Sequence, residues 1–137
     1  MEKRKIKVII KEPYKDAVVK EIVDDLKTIQ GIVGGYIEVV SFPTVKGVDL
    51  VVNEEGKLDK LAGNFFIPHY EDCVVGACMI TGYNDEGEFI SLTEDQIKKV
   101  SNYINNYKLE YGEDVYEDLN VIRNKAIFKM KRLESEM

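Results

Sequence analysis

The sequence predicts an α+β protein with a mostly antiparallel sheet, helices packed on one face, and a long C-terminal helix. Three observations carry this. Short β-branched runs end at turn residues, as strands do. Other stretches place apolar residues at helical spacing between start and stop signals. The opening order is strand, strand, helix, strand, strand, an order that gives a mostly antiparallel sheet with helices packed on one face.

Residues 5–12 are partly alternating and β-branched, which predicts a strand. Pro13-Tyr14-Lys15-Asp16 has turn chemistry, and Ala17 to Val23 returns as a second strand. Asp24 or Asp25 can cap a helix that aligns Leu26, Ile29 and Val33. Gly34 and Gly35 stop it, because glycine reaches the left-handed conformation of a helix end. Tyr36 to Phe42 and Val48 to Val52 are the next strands, and Asn53 to Gly56 form a tight turn.

Residues 59–72 have no clear period and contain Gly63, Asn64 and Pro68, so they read as a loop pinned by Phe65, Phe66 and Tyr70. Cys73 to Tyr83 is a strand interrupted by Gly76, and Glu88 to Ser91 begins its return after the turn at 84–87. Thr93 and Gln96 have capping-box spacing, with Leu92 and Ile97 as the hydrophobic staple. Ile97, Val100 and Ile104 continue that helix. Gly112 breaks it, and Asp114 caps another whose stripe is Val115, Leu119, Ile122, Ala126, Met130 and Leu133. The expected organisation is an α+β core over residues 1–110, with a β-grasp-like β-β-α-β-β start, and an amphipathic helix extension over 111–137.

The chain has 137 residues, 45% hydrophobic and 32% charged, which is enough for one packed core without staples. No apolar run approaches the roughly 20 residues of a membrane-spanning helix. The basic start at Met1 to Lys5 leads into too short an apolar run for a signal peptide, so the cytoplasm is the expected location. The net charge of −6 disfavours nucleic acid as a partner. Basic residues gather at the start and between Arg123 and Arg132, where they suit the negative end of a helix dipole.

Reactive constellations are sparse. His69, Cys73 and Cys78 have the spacing H-x3-C-x4-C, which lacks the close ligand pairs and the fourth ligand of a structural zinc site. No metal and no cofactor are therefore expected. A Cys73–His69 nucleophile pair lacks a recognisable orienting group or oxyanion hole. The carboxylate pairs lie at turns and caps, where water keeps both members ionised. Gly31 to Gly35 closes a helix and so cannot serve as a phosphate loop.

Two binding surfaces remain. Loop 59–72 with Asn64 and His69, beside Gly76 where backbone can approach closely, is the expected wall of a small-ligand pocket. Tyr103, Tyr107, Tyr111 and Tyr116, from a chain with eight tyrosines, gather around the junction of the last two helices and are candidates for a protein interface.

Four stretches carry a resemblance: Val33 to Val40, Asn53 to Leu58, Gly76 to Gly82 and Glu86 to Thr93. In that order and spacing they resemble a small domain-of-unknown-function family of phages, plasmids and integrated elements of Firmicutes. The resemblance covers about residues 5–100, leaving the last helix outside. A Pro-x-Asn-Arg-like segment of the family matches Ala62-Gly63-Asn64-Phe65 only at Asn64. The resemblance implies a mobile-element setting and no established activity. The expected function is non-enzymatic: stoichiometric contact with a host or defence protein. A nucleotide-like small-ligand binder is the alternative, and an enzyme using Cys73 or His69 comes last. No membrane is expected among the partners, and a homodimer is left open.

Overall fold

The computed structural model of the chain describes residues 3–136; Met1 and Glu2 of the basic start, and Met137 of the C-terminal segment, lie outside the described residues. The elements follow as β1 (Lys5–Lys11), β2 (Val18–Val23), α1 (Leu26–Val33), β3 (Ile37–Ser41), β4 (Val48–Asn53), β5 (Gly63–Ile67), a 3-10 turn (Pro68–Tyr70), β6 (Asp72–Val75), β7 (Cys78–Tyr83), β8 (Phe89–Ile90), α2 (Glu94–Tyr107) and α3 (Leu119–Ser135).

The main sheet is antiparallel throughout, in the order β2-β1-β7-β4-β3, with β8 paired to β7. The expected β-β-α-β-β start is present. Its two hairpins do not meet, because β7 lies between β1 and β4 and pairs with both.

The helices divide between the two faces of this sheet, which corrects the expectation of a single covered face. Adjacent residues of the central strands are both buried: Val8 with Ile9, Leu50 with Val51, and Met79 with Ile80. Successive side chains point to opposite faces, so both faces are apolar and each needs a cover. On one side Ile29 and Val33 of α1 pack on Ile6, Val8, Val51 and Met79. On the other, Ile9, Leu50 and Ile80 share a core with β5, β6, α2 and α3.

Residues 59–72 are not the loop expected. Residues 63–67 form β5, which pairs with β6 as a separate two-stranded sheet. All five residues of β5 are buried, so the strand has no polar–apolar alternation to betray it. Gly63 is where the chain after α2 crosses: a Cβ there would stand 2.5 Å from side-chain atoms of both Leu109 and Val115. The expected interruption at Gly76 is a complete break. With φ at +73° it turns the chain out of the small sheet and into the main one, so β6 and β7 belong to different layers.

The helix caps match the sequence signals. Asp25 accepts from Thr28 N at 2.8 Å, and Gly34 ends α1 at φ +82°. Thr93 and Gln96 close both arms of the capping box, at 3.1 and 2.9 Å. Thr93→Ala is expected to lower stability by about 1 kcal/mol, read as a shift in the urea midpoint.

The last helix departs from expectation at its start. Asp114 accepts from Tyr116 N at 2.8 Å and so closes a turn, and α3 begins only at Leu119. The turn drops Val115 into the core against Gly63 and leaves Leu119 40% exposed. Ile122 and Ala126 join the main core and Met130 and Leu133 pack at its margin, so the C-terminal segment packs on its own chain.

Candidate functional site

The sequence-derived ligand residues separate into two places. Asn64 and Gly76 meet in the interior, at a register shift in the β5–β6 ladder. Asn64 is fully buried, and its Nδ2 donates to Lys11 O and Gly76 O, both at 2.8 Å. Leu109 N donates to Asn64 O at 3.0 Å, and Gly76 N to Ala62 O at 2.8 Å. One residue thus ties β1 and the Gly76 turn through its side chain and the exit of α2 through its backbone carbonyl. Asn64 Oδ1 has no hydrogen-bond partner. Rotating the amide would set that oxygen against two carbonyls, so the orientation follows from the donors required. This is a structural joint, with no open wall for a ligand.

His69 lies beyond the other end of β5, in the 3-10 turn. Its Nδ1 is 2.8 Å from the Tyr103 hydroxyl. Tyr103 packs edge-on against Phe42 at 5.3 Å and, tilted, against Tyr107 at 4.8 Å. The structure therefore brings His69, Tyr103 and Tyr107 into one groove of about 430 Å³ between α2 and α3, where Lys99, Asn102 and Asn106 also face it. The volume suits a small ligand. Burial pushes the Tyr103 phenol well above its ordinary range, so it stays protonated.

The other two tyrosines are elsewhere. Tyr111 is 89% exposed and stacks edge-on with Tyr14 at 5.3 Å. The Tyr116 hydroxyl donates to Leu61 O at 2.6 Å. The four expected interface tyrosines are thus two buried residues, Tyr103 and Tyr107, and two surface residues, Tyr111 and Tyr116, which line another groove together.

Both thiols are free and buried. Cys73 Sγ contacts the Val74 and Phe65 carbonyls, and Cys78 Sγ the Lys11 carbonyl. Burial pushes each up to about 12, which leaves them neutral and poorly nucleophilic near neutrality. Cys73 and His69 line different grooves. No group of three or more His, Cys, Asp or Glu side chains among the described residues is arranged to hold a metal ion.

Much of the chain's basic start is neutralised within the fold. Lys3 pairs with Asp25 at 2.7 Å and Arg4 with Asp24 at 2.8 Å. Lys11 was not singled out from the sequence. It is 1% exposed, with Nζ donating to Glu12 O at 2.7 Å, and burial lowers its pKa. Its alternation with Ile9 placed it on an inward face, but lysine at a strand end reads as solvated.

A second groove, of about 160 Å³, runs between β3–β4 and the β5–β6 hairpin. Val40, Leu50, Val52, Ile67, Val74 and Val75 line its apolar part. Tyr70 closes one end by donating to Ser41 O at 2.7 Å, and Lys57 pairs with Asp72 at the rim.

The fold and its grooves define an α+β protein in which a twisted antiparallel sheet is covered by one helix on one face and by a hairpin with two helices on the other. The chain belongs to the family described as Domain of unknown function (DUF3846), whose model matches residues 6–105. The match ends within α2, so α3 lies beyond it. No curated protein and no solved structure matches the chain. No helix of the described residues is long and apolar enough to cross a membrane.

Proposed function

We propose that this chain is a non-enzymatic binding protein that acts by stoichiometric contact with another protein. The outer side of α3 carries the reading. Ile122 and Ala126 face the core, whereas Val121 and Phe128, seven positions apart on one stripe, stay 61% and 69% exposed. Two large apolar side chains held outward on a helix that already has a buried face favour a further partner. The resemblance to families of phages and integrated elements supports a host or defence protein in the host cytoplasm as that partner.

Phe128→Asp places a charge on the stripe without touching the core. Tagged chain at micromolar concentration is expected to retain a host protein in stoichiometric amount, and Phe128→Asp to lose most of it at unchanged far-UV circular dichroism. A wild-type bait that retains nothing above background removes the reading.

The groove at His69 supports a second reading as a small-ligand binder, because aromatic faces and two amides converge there. A thermal-shift screen with nucleotides and cyclic nucleotides tests it; stabilisation that disappears in Asn102→Ala supports it, and no shift from any of them removes it.

A further inference from the structure

We infer that the outer edge of β3, with the groove beside it, takes up an extended segment of a partner protein by strand addition, and that this segment carries an apolar and a basic residue two positions apart. The inference rests on the protein-binding reading and supplies its recognition chemistry.

Phe42 N donates to Val48 O at 2.9 Å, and Glu54 N to Tyr36 O at 2.8 Å. Antiparallel pairing alternates, so Val40 and Glu38 also turn their backbone groups inward to β4. The backbone groups of Ile37, Val39 and Ser41 then point away from the sheet, at its outermost strand. Tyr70 occupies the Ser41 carbonyl, which sets one end of the open stretch. Both groups of Ile37 and Val39 and the N–H of Ser41 are left for a partner. The opposite edge, β2, carries Lys20 and Glu21 on its exposed stretch, charges of both signs that disfavour pairing.

Side-chain direction supplies the selectivity. Residues of an added strand opposite Val40 and Glu38 point toward the hairpin side, where the apolar groove lies. The side chain opposite Val40 enters beside Val40, Leu50 and Ile67. The one opposite Glu38 meets an exposed carboxylate, with Glu54 also at the groove; neither acid pairs with a cation among the described residues. The match is therefore apolar-x-basic for an antiparallel segment and basic-x-apolar for a parallel one. A second copy suits the edge less well: antiparallel pairing about Val39 sets Glu38 of each copy against Val40 of the other and leaves both acids without a cation.

The test pans a surface-displayed library of random peptides of about eight residues on the full chain, then measures the enriched peptides by fluorescence anisotropy. Enrichment of the i, i+2 apolar–basic pattern is expected. Val39→Pro removes one outward N–H while sparing the β4 ladder, and should weaken binding at least about tenfold. Glu38→Lys leaves the backbone untouched and should exchange the basic preference for an acidic one. Equal binding by wild type and both variants, enrichment without the pattern, no enrichment, or a dimer that Val39→Pro dissociates each overturns the inference. Should any of these occur while Phe128→Asp still abolishes capture of the host protein, only the strand-addition site is lost; loss of all protein capture removes the broader reading instead.

Discussion

Asn64→Ala is expected to destabilise the protein by about 3 kcal/mol, the largest effect of any single truncation proposed here. The side chain is fully buried and donates twice, to Lys11 O and Gly76 O. Its removal strands the Gly76 carbonyl at about 1–3 kcal/mol, leaves the Lys11 carbonyl only the weak Cys78 thiol, and opens a small void between the two sheets. Urea unfolding at neutral pH measures it, and a shift below about 0.5 kcal/mol would show that the amide is not the joint. Asn64→Asp sharpens the test. A carboxylate there can donate to neither carbonyl, and burial holds its pKa above the unfolded value. The variant should gain stability as pH falls through its raised folded pKa, while Asn64→Ala should show no such recovery relative to wild type.

The second large effect is alkaline unfolding. Burial raises Cys73 and Cys78 from 9.0 to about 12 in the folded state. Above pH 9 the unfolded chain loses these protons and the folded chain keeps them, so stability falls until about pH 12. Each thiol contributes a slope of about 1.4 kcal/mol per pH unit across that window. Lys11 opposes them: its folded pKa lies below 10.5, so its contribution rises between the lowered value and 10.5. One lysine against two thiols leaves a net loss. Titrating urea midpoints from pH 8 to 10, below the range where the unfolded chain's tyrosines ionise and buried Tyr103 adds to the loss, should show the decline, and Cys78→Ala should remove at least half of it. In native protein at pH 8 neither thiol should react with a disulfide reagent, whereas both should react once unfolded. A wild-type slope retained in Cys78→Ala, or rapid native labelling, would contradict the buried-thiol account.

Much of the architecture was legible because it is written in local chemistry. The Asp25 and Thr93 caps and the Gly34 stop each satisfy orphan groups within one turn of chain, so their residues suffice to place them. The strands β1, β3 and β4 declared themselves by β-branched runs between turns. Where local signals failed, a distant partner had decided the outcome. Gly63 and Asn64 look like loop residues, yet one accommodates Leu109 and Val115 and the other bonds Lys11 and Gly76, residues far along the chain. Tyr103 and Tyr107 looked like interface residues at the junction of the last two helices, yet Phe42 and His69 pack on Tyr103, and Tyr103 packs on Tyr107.

By itself, then, the order of residues determined the class of fold and the caps at Asp25, Gly34 and Thr93, all properties of local spacing and composition. Tertiary structure alone decided that β7 parts the two opening hairpins, that α1 lies across the sheet from the other helices, and that His69 joins two tyrosines in one groove. Such outcomes depend on which apolar surfaces meet, and a chain's apolar residues record that they must be buried without recording against what.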